Sequence, residues 1–76
     1  MRMRLSEMPE GSFGVVIDII GGRGRIRKLM ELGVVPGVRI MVIRNPPYGP
    51  IIIKARGYNL AIGRGLAESV YVDTSI

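Results

Sequence analysis

A chain of 76 residues with no cysteine and no histidine has a core near the lower limit for folding without disulfides or metals, and it offers no thiolate nucleophile, imidazole base or usual zinc ligands. Eleven Lys and Arg against six Asp and Glu give a net charge of +5, which attracts acidic partners, whether nucleic acid, an anionic membrane surface or an acidic protein face. Ile and Val together number 19 against five Leu, so the apolar content is mostly β-branched and favours strands.

The first predicted strand covers residues 14–20, with Val15, Ile17 and Ile19 on one face and Val16, Asp18 and Ile20 on the other. Gly21-Gly22-Arg23-Gly24 ends it. Ile26, Leu29, Met30 and Gly33 then recur at i, i+3, i+4, i+7, one stripe of a short helix starting near Arg25, with Arg25, Arg27, Lys28 and Glu31 on its other side. Gly33 stops that helix by taking the left-handed conformation, and Pro36 prevents its continuation. Val35-Pro36-Gly37-Val38 fits a type II turn, with proline at its second position and glycine at its third.

Beyond the turn, Val38, Ile40 and Val42 alternate with Arg39, Met41 and Ile43 in a second strand, which ends at the loop 45–50 with its three prolines. Ile51, Ile53 and Ala55 alternate with Ile52, Lys54 and Arg56 in a third strand, and residues 56–59 turn it into a fourth around Leu60 and Ile62. Residues 63–68 read as one helical turn, residues 70–72 as a short last strand, and residues 73–76 as a frayed tail. The predicted fold is mostly β: one domain over residues 1–76, a small SH3-like antiparallel barrel of about five strands with one short helix inserted after the first. A barrel of this size directs only one side chain of each alternating pair inward. Val16, Ile20, Met41, Ile43 and Ile52 are left for packing under the helix or for a partner surface.

Leu5 with Pro9-Glu10-Gly11, Gly14-Val15-Val16, Gly21-Gly22, the run 25–29, Glu31-Leu32-Gly33-Val34, Pro36-Gly37, Gly49-Pro50-Ile51, Gly57, Leu60-Ala61-Ile62, Ala67 and Val70-Tyr71-Val72 together resemble the FeoA family of ferrous iron transport accessory proteins. The most specific element is the Leu-x-x-Leu-Gly-x-x-Pro-Gly run at residues 29–37. What the resemblance implies is a free-standing SH3-like barrel, related in fold to the C-terminal domain of metal-dependent repressors of the diphtheria toxin repressor type. It further implies a cytoplasmic, non-enzymatic partner of the FeoB membrane transporter, whose cytoplasmic portion is a GTP-binding domain.

The residues do not supply an iron site or any other cofactor site. Ferrous iron favours imidazole with carboxylate, and only Glu7, Glu10, Asp18, Glu31, Glu68 and Asp73 are present, interleaved with arginines. The glycines at 21–24 lack the trailing Gly-Lys-Ser/Thr of a phosphate loop and read as a flexible turn. Arg23, Arg25, Arg27 and Lys28 oppose the helix dipole. They are read as a solvated basic surface, with an acidic docking site as the competing reading.

No stretch reaches the ~20 apolar residues of a spanning helix, and no apolar run follows the N-terminal charges, so the expected compartment is the cytoplasm, without membrane insertion. An enzyme is rejected because no nucleophile, base and orienting group can be assembled. Nucleic-acid binding, or a repressor-like regulatory role, is the runner-up, weakened because Tyr48, Tyr58 and Tyr71 form no stacking pair on one strand. Self-association is left open. The predicted docking surface is the outer helix face with the turn after it: Arg25, Lys28, Glu31, Leu32, Val34, Val35 and Pro36. The competing reading has Val34 packing back on the helix as its C-terminal contact and Leu32 capping the barrel end.

Overall fold

The computed structural model describes residues 1–75. In chain order they form β1 (Arg2–Arg4), a 3-10 turn (Leu5–Glu7), β2 (Phe13–Ile19), α1 (Arg23–Leu32), β3 (Arg39–Arg44), β4 (Ile51–Ala55), β5 (Tyr58–Ile62), the single-turn α2 (Arg64–Ala67) and β6 (Val70–Asp73). The six strands make one antiparallel sheet in the order β1-β6-β2-β3-β4-β5. It bends like an SH3 barrel but stays open, leaving β1 and β5 as edges.

β1 has no counterpart among the strands predicted from sequence. Arg2, Met3 and Arg4 pair with Asp73, Val72 and Tyr71, so the tail expected to fray is tied down as well: Asp73 belongs to β6, and the Thr74 N–H donates to the Met1 carbonyl at 2.8 Å. Ile76, the last residue of that predicted tail, lies outside the described residues. Leu5 and Met8, between β1 and β2, are fully buried and close one end of the core.

Two bulges decide which side chains face inward. In β2 the register shifts between Val16 and Asp18, and such an extra residue moves the alternation by one. Val16 therefore enters the core and Ile19 packs against it, while Ile17 joins Asp18 outside. This corrects the predicted facing, which put Ile17 inward and left Val16 over. A second bulge between Val42 and Arg44 bends β3 beyond its buried Ile40 and Val42. Across the β3–β4 pair, Ile51, Ile53 and Ala55 fill the core as their alternation required.

The helix ends as its glycine dictates. Gly33 sits at φ 82°, its N–H donates to the Met30 carbonyl at 3.0 Å, and the Val34 N–H donates to the Leu29 carbonyl at 2.9 Å. This double bond pattern is the Schellman motif, which brings the residue after the glycine against the helix three residues before its last. Val34 and Leu29 are accordingly both fully buried. The turn 35–38 closes with the Val38 N–H on the Val35 carbonyl at 3.2 Å and Gly37 at φ 96°. Only two residues, Arg56 at φ 55° and Gly57 at φ 84°, connect β4 to β5, a type I′ turn whose twist matches the flanking strands.

Candidate docking surface

The residues expected to form one outer helix face have different environments. Arg25 donates from Nη1 to the Gly65 carbonyl at 2.7 Å and to the buried Ser69 hydroxyl at 3.1 Å, so it fastens α1 to α2. Val34 is wholly inside the core, and Leu32 is half-buried against it. Val35 is half-buried in the turn; Lys28, Glu31 and Pro36 are exposed. Of the predicted set, Glu31 and Leu32 border a shared concavity.

That concavity is a groove of about 240 Å³ between the end of α1 and the β4–β5 hairpin. Met30, Glu31, Leu32 and Gly33 form one wall, and Ala55, Arg56, Tyr58 and Leu60 form the other. Met30, assigned by sequence to the buried stripe, is 61% exposed, because α1 turns Leu29 and Leu32 toward the sheet instead. The inward face of β5 grades along its length from buried Ile62 through half-buried Leu60 to Tyr58, which is 73% exposed. Met30, Arg56, Tyr58 and Leu60 were missed as candidates; the two-residue turn and the alternation of Tyr58, Leu60 and Ile62 were the available signal. Arg56 stretches over the helix end, with its Cδ 3.8 Å from where a Gly33 side chain would begin, and makes no ion pair or hydrogen bond among the described residues.

A second apolar area lies on the outer face of the sheet. Phe13 and Met41 are direct cross-strand partners, 52% and 42% exposed, but Lys54 stands opposite Met41 on the next strand and interrupts the patch.

The basic residues differ in their surroundings. Arg23, Arg27 and Lys28 are exposed at the start of α1, where Gly22 is the cap and no acidic residue occupies the first turn. A side chain at Gly21 would begin 3.0 Å from the Ser69 hydroxyl and 3.2 Å from Arg25 Cδ, so this glycine serves close packing beside α2. Arg2, Arg4 and Arg64 are engaged within the molecule. Arg2 lies over the Tyr71 ring at 4.5 Å, and Arg4 donates to the Tyr71 hydroxyl at 3.1 Å, a bond that raises the arginine's pKa further. Tyr71 is thus covered by a cation rather than free to stack on a base. Arg64 donates from Nη2 to the Asn45 side-chain oxygen at 3.0 Å and to the Pro46 carbonyl at 2.5 Å, while Asn45 donates to the Ser6 and Met8 carbonyls. This network holds the 45–50 loop against the N-terminal segment.

Among the described residues no three Asp, Glu, His or Cys side chains cluster as metal ligands do, and no helix is long and apolar enough to cross a membrane. Asp73 accepts from the Ser75 hydroxyl at 2.6 Å, the Ser75 N–H at 2.9 Å and the N-terminal ammonium at 3.2 Å. These bonds, the hydroxyl's foremost, lower its pKa to about 2.

The chain is 42% identical over 64 residues to a Methanocaldococcus jannaschii protein provisionally named Fe(2+) transport protein A, covering 84% of this chain and 77% of that one. It superposes on the crystal structure of an iron uptake regulatory protein, FeoA, with TM-score 0.90 and 46% identity, covering 95% of this chain and 96% of the other. The Stenotrophomonas maltophilia FeoA complexed with zinc, an SH3 domain protein, matches with TM-score 0.80 and 27% identity over 96% of this chain and 92% of that one. A manganese-dependent transcriptional repressor shares the fold alone, at TM-score 0.90 and 19% identity, with this chain spanning 41% of its length. The family model of the FeoA domain matches residues 3–74, and the chain belongs to the FeoA family.

Proposed function

We propose that this protein is a non-enzymatic, cytoplasmic accessory factor of ferrous iron uptake that docks on the cytoplasmic portion of a FeoB-like, GTP-dependent membrane transporter. Family membership supports the pathway: the M. jannaschii relative carries an Fe(2+) transport name, and the S. maltophilia FeoA is described as a candidate ferrous iron transport activating factor. The observation that carries docking is the groove, where Met30 and Tyr58 stand exposed beside half-buried Leu32 and Leu60 although the chain has apolar residues enough to fill its own core. An apolar centre with a charged rim of Arg56 and Glu31 has the anatomy of an interface, the apolar part supplying affinity and the charges orientation.

A role without catalysis agrees with the chemistry available. The most buried hydroxyl, Ser69, is held by Arg25, and there is no imidazole anywhere in the chain to activate one. Co-purification with the transporter's cytoplasmic portion tests the reading. Met30→Asp and Tyr58→Asp place charge on exposed sites without entering the core, and both should abolish capture while the folded spectrum persists. Undiminished capture by both variants would move the interface to the outer sheet face around Phe13 and Met41.

A further inference from the structure

β5 ends the sheet, and what it leaves unpaired follows from the hairpin. A two-residue turn makes its flanking residues, Ala55 and Tyr58, a pair that exchanges both hydrogen bonds, and such pairs alternate along an antiparallel ladder. Tyr58, Leu60 and Ile62 therefore bond to β4. Asn59 and Ala61 direct their N–H and C=O groups the other way, and no further backbone bond engages them among the described residues.

The edge carries none of the usual protection. Tyr58–Ile62 has no charge, no proline and no bulge, whereas the opposite edge, β1, is three residues long with arginine at both ends. The inward face of β5 opens directly into the groove under α1. At its start stands Arg56, without an ion pair or hydrogen bond among the described residues, in a left-handed position of the turn where glycine or asparagine is the unstrained choice.

We infer that β5 and the groove form a site for an extended peptide segment, added antiparallel as a seventh strand, with apolar side chains at alternate positions and an acidic group at its C-terminal end. The inference rests on the docking reading above and names how the partner is held. An antiparallel strand pairs with Asn59 and Ala61 and directs the residue opposite Leu60 into the groove. Its chain then runs past Tyr58 toward the hairpin, so its C-terminal end meets Arg56. Net charge +5 favours an acidic arrival, and Glu31 across the groove opposes it. A second copy fits less well: antiparallel self-pairing of β5 would set Arg56 of each molecule beside Arg64 of the other.

The probe is a short blocked peptide alternating valine and threonine and ending in aspartate, titrated to millimolar concentration while protein amides are followed by NMR. Expected are shifts at Leu32, Arg56 and residues 59–61, with slowed hydrogen exchange at the Asn59 and Ala61 amides. Arg56→Gln, or a lysine in place of the terminal aspartate, should weaken binding about threefold or more, and Glu31→Gln should strengthen it. Ala61→Pro removes an N–H that β4 does not use, so the fold survives and peptide binding is lost. If that variant does not fold, the Arg56→Gln affinity and the exchange of the unaltered protein decide. Peptide binding retained by folded Ala61→Pro, shifts centred on Phe13 and Met41, or edge protection that appears with protein concentration alone overturns the assignment. Capture of the transporter portion by folded Ala61→Pro also overturns it, leaving docking in place through another surface. If the peptide protects the edge but the transporter portion is never captured, the site stands and the docking reading falls.

Discussion

The guanidinium of Arg25, in the first turn of α1, is bonded to the hydroxyl of Ser69, the most deeply buried polar side chain described, at 3.1 Å. A residue that sequence places on a solvated basic face is a tie between the two helices, and its second bond, to the Gly65 carbonyl, closes the same contact. Removing it leaves the Ser69 hydroxyl unsatisfied, which costs about 1–3 kcal/mol for a buried group. Arg25→Ala should lower the urea midpoint accordingly and leave transporter capture intact once the protein is folded. An unchanged midpoint with lost capture would return Arg25 to the interface.

Gly33 carries the turn from helix to core. A side chain there would have room, since nothing lies closer than Arg56 at 3.8 Å, so the penalty of substitution is conformational: φ 82° is disfavoured for a β-branched residue. Gly33→Val should cost about 1–3 kcal/mol in thermal or denaturant unfolding. An unaltered melting temperature would contradict the strain.

The parts of this fold that sequence reveals are those set by short-range rules. The helix stop at Gly33, the Pro36-Gly37 turn, the alternation of Ile51, Ile53 and Ala55, and the hairpin around Arg56-Gly57 each depend on neighbours a few residues apart. β1 does not: Arg2 finds Asp73 across almost the whole chain, and Arg-Met-Arg has no β-branched residue to mark a strand. The choice between Met30 and Leu32 is likewise open locally, since each is close enough to Leu29 around the helix to share its stripe. Where α1 lands on the sheet makes that choice, and the same landing creates the groove. The β2 bulge explains Val16 and Ile17, because one inserted residue inverts a period of two.

Fe(II) should find no specific site on this protein alone. Glu10 is paired with Arg44 at 3.6 Å and accepts the Asn45 N–H, Asp18 faces Arg2 at 3.9 Å, and Asp73 is occupied by Ser75 and the N-terminus. Hard or borderline cations need several converging oxygen or nitrogen donors, and these carboxylates point to separate partners. Anaerobic calorimetry should show only weak, non-stoichiometric heat; micromolar one-to-one binding abolished by Glu10→Gln or Asp18→Asn would overturn this.

Acid should loosen the junction of β1 and β6 through Asp73. Its pKa is lowered to about 2 by the Ser75 hydroxyl first, then the Ser75 N–H and the N-terminal ammonium, whereas an aspartate in the unfolded chain titrates near ~3.9. A depressed carboxylate binds its proton more readily when unfolded. Its contribution is therefore fully present above about pH 4 and is lost as pH falls through the folded value near 2. Thermal melts from pH 7 to 2 should show this as a decline that is shallower in Asp73→Asn, with Asp73→Asn already less stable than the unaltered protein at neutral pH. Ser75→Ala should fall between the two, since it removes the largest cause and leaves the ammonium. Parallel curves for the unaltered protein and Asp73→Asn down to pH 2 would show that these bonds do not hold the terminus in solution.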